Sequence, residues 1–161
     1  DINGGNTFVY KASGKQESQG FEIDLNGDIT SNLSLITSYG YTTTENKEIS
    51  NKELTNVPHH TANIFVTYKL SSINLPDYYI GGGTRFIGGK YADEANNIKL
   101  DSALIYNATV GYKKGNWRAN LSVQNLTDEE YVDGALISDA RGTRVYAGTP
   151  RTFLASVSYK F

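Results

Sequence analysis

Apolar and polar residues alternate along most of this chain. Phe21, Ile23 and Leu25 are interleaved with Glu22, Asp24 and Asn26. Ala62, Ile64, Val66 and Tyr68 are interleaved with Asn63, Thr67 and Lys69. Leu104, Tyr106, Ala108, Val110 and Tyr112 enclose Asn107 and Thr109, and Ala119, Leu121 and Val123 alternate with Arg118, Asn120, Ser122 and Gln124. A period of two places the two sets on opposite faces of a strand. The pattern predicts about eight strands, at 7–13, 19–29, 33–44, 59–70, 78–88, 103–113, 116–126 and 151–161. Apolar residues do not recur at three and four, so the fold class is all-β. Most of these strands approach the roughly nine to eleven residues that a tilted strand needs to cross a bilayer. Phe65 is an apolar exception on a polar face without a reason in the pattern.

The connections alternate as well. Thr30-Ser31-Asn32 and Lys114-Gly115-Asn116 are tight, and Ser71 to Asp77 is modest. Glu45 to Val57, Gly89 to Ser102 and Thr127 to Pro150 are long and polar. The short link Gly14 to Ser18 is the exception, where a long loop is due. Short turns on one side and long loops on the other are the pattern of outer-membrane barrels. Aromatics divide accordingly. Tyr68, Tyr78, Tyr112, Trp117, Tyr159 and Phe161 fall at short-turn ends, and Tyr10, Phe21, Tyr39, Tyr41, Phe86 and Phe153 toward long-loop ends. Two aromatic girdles around an apolar band mark a transmembrane barrel, whereas a soluble sandwich concentrates aromatics mid-strand. The polar face then lines the lumen, because a charge facing lipid at mid-bilayer costs about 2–4 kcal/mol.

Composition narrows the classes. Fifteen Lys+Arg against 17 Asp+Glu leave the chain nearly neutral, without the clustered basic patch of a nucleic-acid face. There is no cysteine, which removes disulfides and thiolate chemistry, and no nucleophile–base pair or rigid carboxylate pair supports an enzyme. Gly81-Gly82-Gly83 lacks the following helix of a phosphate loop; glycines there relieve crowding or allow bending. The absence of methionine makes a processed product or a fragment the expectation.

In Thr152 to Phe161, Phe153, Ala155, Val157, Tyr159 and Phe161 share one face. This ending resembles the C-terminal signal read by the machinery that assembles outer-membrane barrels, with Phe153, Val157, Tyr159 and Phe161 carrying it. Further stretches resemble one family. Gln124 to Tyr131 is similar to an N-L-x-D/N-x-x-Y element, and Gly148-Thr149-Pro150-Arg151-Thr152-Phe153 to a G-x-P-R-T ending. Ser18 to Asp24 resembles an S-x-G-x-E-x-D/E strand, and Asn56-Val57-Pro58-His59-His60 an N-x-P-x-H entry into another. Together with Gly82 to Gly88 and Tyr91 to Asn96, they resemble TonB-dependent receptors of the ferric-siderophore branch, nearest the hydroxamate type.

That resemblance implies a 22-stranded barrel with a plugged lumen. Residues 1–161 would form its C-terminal part, about eight consecutive strands, without the plug domain or the N-terminal segment that engages TonB. It implies a bacterial outer membrane and active uptake of a ferric siderophore, with iron only as the chelate and no cofactor. The partners would be the siderophore, outer-membrane lipid, TonB and the barrel-assembly machinery. A complete eight-stranded barrel with a structural or adhesive role remains an alternative, as do receptors for cobalamin or saccharides and a soluble β-sandwich.

Candidate ligand contacts follow from the outward loops. Tyr131, Arg141, Arg144 and Tyr146 lie in Thr127 to Pro150, and Tyr91 in Gly89 to Ser102. Arginine and tyrosine suit a chelate bearing carboxylates, hydroxamates or catecholates. The alternative is that Arg141 and Arg144 pair with Asp133 and Asp139 and only order the loop. Asp128, Glu129, Glu130 and Asp133 form an acidic cluster that reads as solvated charge before calcium ligands. His59 and His60, adjacent on a strand, face opposite ways and cannot chelate together.

Overall fold

A computed structural model describes residues 14–49, 52–138 and 142–161. Seven strands form one antiparallel sheet. They are β1 (Gln16–Asp28), β2 (Leu33–Asn46), β3 (His60–Lys69), β4 (Tyr78–Ile87), β7 (Ala103–Lys114), β8 (Trp117–Gln124) and β11 (Thr152–Tyr159). Each pairs with its neighbours in the order β1-β2-β3-β4-β7-β8-β11, an up-and-down meander. Two short pairs stand apart, β5 (Lys90–Tyr91) with β6 (Lys99–Leu100), and β9 (Val132–Ser138) with β10 (Gly142–Ala147). Seven of the expected strands therefore form, within a few residues of their expected ends. The expected strand at 7–13 and Tyr10 lie outside the described residues. β1 and β11 occupy opposite ends of the sheet order and do not pair with each other, so the described strands form an open wall.

Register carries the alternation from strand to strand. Ile23 faces Tyr39, Tyr39 faces Ala62, Ala62 faces Phe86, and Phe86 faces Leu104. Val110 faces Leu121, which faces Ala155. Because directly paired residues share a face, one side of the wall is a continuous apolar band. Phe21, Leu25, Ile64, Val110, Leu121 and Phe153 stand exposed on it, and Val157 is 71% exposed. The buried apolar residues among those described are only Ile87, Ala92, Ala103, Ile105 and Ala135. A water-soluble sheet would cover such a patch; here the apolar surface is outside, as lipid requires.

Both girdles form. At the short-turn end Tyr78 packs on Tyr112 at 5.0 Å between centroids, and Trp117 on Tyr159 at 4.8 Å, with Phe161 5.2 Å beyond. At the long-loop end Phe21 lies 5.9 Å from Tyr39 and 5.8 Å from Tyr41. His60 joins this cluster, its Nδ1 2.8 Å from the Tyr39 hydroxyl. His59 turns the other way, placing Nε2 2.9 Å from a Glu53 carboxylate oxygen.

The short turns have local causes. Thr30 Oγ1 accepts the Asn32 and Leu33 N–H groups at 3.3 and 3.0 Å, closing the first. A 3-10 turn, Leu70–Ile73, ends on left-handed Asn74. Gly115 takes φ +54° between Lys114 and Trp117, which face each other.

On the inner face, glycine explains Phe65. Its ring lies across Gly81 and Gly83; a Cβ on Gly83 would sit 2.7 Å from the ring, and one on Gly81 2.9 Å. The glycine run therefore opens a seat for an aromatic ring on the polar face. Tyr79 repeats the device. Its ring covers Gly111, and its hydroxyl donates to Asn120 Oδ1 at 3.1 Å. Thr109 donates to the same oxygen at 2.8 Å, and Asn120 Nδ2 donates to Ser122 at 2.7 Å. Gly111→Ala would drive a methyl into the Tyr79 ring, at the ~1–3 kcal/mol typical of overpacking. The denaturant midpoint of the protein in vesicles checks this, with Gly27→Ala, where the space is open, as control.

Candidate ligand-binding surface

Three segments leave the long-loop end: 47–59, 88–102 and 125–151. The last begins and ends in one hydrogen-bonded neck. Asn125 is left-handed, φ +53°, and 1% exposed. Its backbone N–H donates to Asn107 Oδ1 at 3.1 Å. Its Nδ2 donates to the carbonyls of Glu129 and Thr149, both at 2.9 Å, while Oδ1 accepts the Glu129 N–H at 2.8 Å. Asp128, also left-handed, accepts the Arg151 N–H at 2.9 Å and its guanidinium at 3.0 Å. The Tyr131 ring lies on Gly148, and its hydroxyl accepts the Thr149 N–H at 3.3 Å. Tyr131 also packs against the small inner cluster Ile87, Ala103 and Ile105. The two ending elements recognised in the sequence are thus two halves of one joint. Asn125 and Arg151, which the sequence marks as motif positions without a role, hold it together.

Hydrogen bonds from the Arg151 backbone and then its side chain keep the Asp128 carboxyl below its ordinary value. A lowered carboxylate pKa stabilises the fold fully above the ordinary value of 3.8, and the contribution is lost as pH falls through the lowered value. Asp128→Asn should therefore loosen the neck at neutral pH and leave less further loosening below about pH 4. Amide exchange of residues 125–131 across pH reads this directly.

Beyond the neck, the expected long loop carries a hairpin. Its strands were missed because Val132 to Ser138 and Gly142 to Ala147 lack clean alternation. Arg144 and Tyr146 lie exposed on one face of β10, opposite Leu136 and Gly134. Arg141 and Asp139 fall outside the described residues, and Asp133 presents its backbone carbonyl to the buried Lys90 ammonium. Tyr91 is half-buried on β5, and its carbonyl accepts the Asn56 N–H at 2.7 Å. Arg144 and Tyr146 are thus exposed on the hairpin, whereas Tyr131 is engaged in the neck. The long polar segment Glu45 to Val57 is half-buried over residues 52–57. Its backbone is taken up by Thr44, Asn96 and Tyr91.

The inner face below the neck holds a depression of about 320 Å³, lined by Phe65, Arg85, Asn107, Ser122, Gln124 and Tyr131. Its lining mixes these polar groups with apolar ones, Ile105 and Val123 among them. No helix among the described residues is long and apolar enough to cross a membrane; the crossing elements are the strands.

Comparison with known proteins fits this geometry. Residues 1–126 match the family model for the TonB dependent receptor-like β-barrel. An uncharacterized TonB-dependent receptor of Haemophilus influenzae is 34% identical over 147 residues, covering 81% of this chain and 41% of that protein. The ferrioxamine B receptor of Salmonella typhimurium is 29% identical over 164 residues, covering 96% of this chain and 23% of the receptor. The crystal structure of the siderophore receptor PiuA from Acinetobacter baumannii superposes with a TM-score of 0.76 at 25% identity, over 92% of this chain and 22% of PiuA. The chain thus spans between about a fifth and two fifths of these relatives. Its seven-stranded wall, apolar toward lipid and polar toward the lumen, is the C-terminal part of a larger outer-membrane barrel, and the chain belongs to the TonB-dependent receptor β-barrel family.

Proposed function

We propose that the intact protein is an outer-membrane receptor that captures a ferric siderophore and imports it actively, energised through TonB. The observation that carries this reading is the extent of the likeness to siderophore receptors, 96% of this chain for the ferrioxamine B receptor. The surface chemistry supports it. Arg144 can pair with anionic oxygens of a chelate, and Tyr146 offers an amphipathic ring beside it. Residues 1–161 supply the final strands of the wall and its outward loops. The plug and the TonB-engaging segment would be supplied outside these residues. The likeness to a ferrioxamine B receptor favours a hydroxamate cargo.

Growth of iron-starved cells with and without the intact gene, on single purified siderophores, tests the reading. Gene-dependent growth on ferrioxamine B is expected. Gene-dependent use of cobalamin or a saccharide, with no response to any siderophore, would overturn it. The terminal aromatics carry a separate expectation: Phe161→Ser should lower outer-membrane levels while leaving the affinity of assembled receptor unchanged. Unaltered levels would remove Phe161 from the assembly signal.

A further inference from the structure

Two asparagine side chains outside the neck make the same unusual contact. Asn56 Oδ1 accepts the Ala135 N–H at 2.9 Å, and its Nδ2 donates to the Ala135 carbonyl at 2.7 Å. Asn96 does this to Glu53, with 2.7 Å to the N–H and 3.1 Å to the carbonyl. Each carboxamide stands in for a neighbouring strand, satisfying both backbone groups of one residue that has no ladder partner there. Both asparagines are left-handed, φ +62° and +56°.

The contacts form a chain. Asn96, in segment 88–102, holds Glu53 in segment 47–59. Asn56, in that second segment, holds Ala135 in the hairpin, while its own N–H returns to Tyr91. Lys90 closes the circuit by donating to the Asp133 carbonyl. The second clamp lies directly beneath the exposed face of β10: a Cβ on Gly134 would sit 3.2 Å from Asn56 Oδ1 and 3.8 Å from the Tyr146 ring.

We infer that Asn56 and Asn96 are positioning residues that brace the three outward segments into one wall, holding Arg144 and Tyr146 ready for ligand rather than letting each loop order separately on binding. A surface ordered in advance does not lose that freedom when the ligand arrives. The affinity part of this inference rests on the siderophore reading; the bracing part does not.

Glycine substitution separates the clamp from the backbone, because glycine accepts a positive φ without strain. In the intact receptor, Asn96→Gly should speed amide exchange in residues 132–138, which Asn96 does not touch, as well as in 52–58. Asn56→Gly should do so in 132–138 directly. Asn74→Gly, a left-handed site in a short turn, should change neither. Loss of protection confined to 52–58 in Asn96→Gly would overturn the single wall. Ferrioxamine B is the binding probe. The double variant should bind it about tenfold more weakly, the effect of re-imposing ordering costs of this kind. Lost protection with unchanged affinity would overturn the positioning role. Should the unaltered receptor fail to bind ferrioxamine B, the hydroxamate reading falls, and the exchange pattern alone decides the bracing.

Discussion

Replacing Asn125 by alanine should destabilise the receptor by about 4 kcal/mol. Three side-chain hydrogen bonds disappear, each contributing about 1 kcal/mol, from a residue that is itself 1% exposed. Alanine at φ +53° adds about 1 kcal/mol of backbone cost. Asn125→Gly keeps the backbone comfortable and should cost about 3 kcal/mol, so the difference between the variants isolates the conformational part. Urea unfolding of the intact receptor in vesicles, followed by heat-modifiable gel mobility, measures both. A loss under about 1 kcal/mol for alanine would mean that the neck does not depend on this residue.

The second large effect tests the two faces. Leu121 lies in the middle of β8, exposed on the apolar side between Val110 and Ala155. Leu121→Arg places a charge toward lipid and should cost about 2–4 kcal/mol. Ser156 lies one strand away on the opposite face, paired with Asn120. Ser156→Arg should stay within about 0.5 kcal/mol, as for a surface substitution. Equal costs would contradict the assignment of lipid and lumen.

The wall was legible in the sequence because its driving pattern is local. A strand between lipid and a polar lumen writes its two faces as alternate residues, so Phe21 to Asn26 or Ala119 to Gln124 disclose their orientation unaided. Phe65 looked anomalous because its reason lies on the next strand, in the space above Gly81 and Gly83. The candidate surface was less legible for the same reason enlarged. Tyr131 and Arg144 are equally plausible as ligand candidates in the sequence, yet one closes a neck against Gly148 and the other is exposed on a hairpin strand. That difference is set by contacts between residues well apart in the chain. Asn125, Asp128, Asn56 and Asn96 fall within recognisable motifs but carry no sign of a structural role, since a left-handed backbone angle leaves no periodic trace. The available hint was the spacing of Asn125, Asp128 and Tyr131 ahead of Gly148 and Arg151, which marked a family but not a joint.

The neck at Asn125 and Thr149 also separates two kinds of change. Once its ends are pinned, the excursion from 132 to 147 hangs from a fixed mount, and lengthening it adds only a slowly growing closure cost. The strands on either side keep their register whatever is mounted. Recognition can therefore diverge like an exchangeable tool head on a constant shaft. A grafted replacement must satisfy one inherited fitting besides the mount: a backbone amide and carbonyl where Ala135 now meets Asn56.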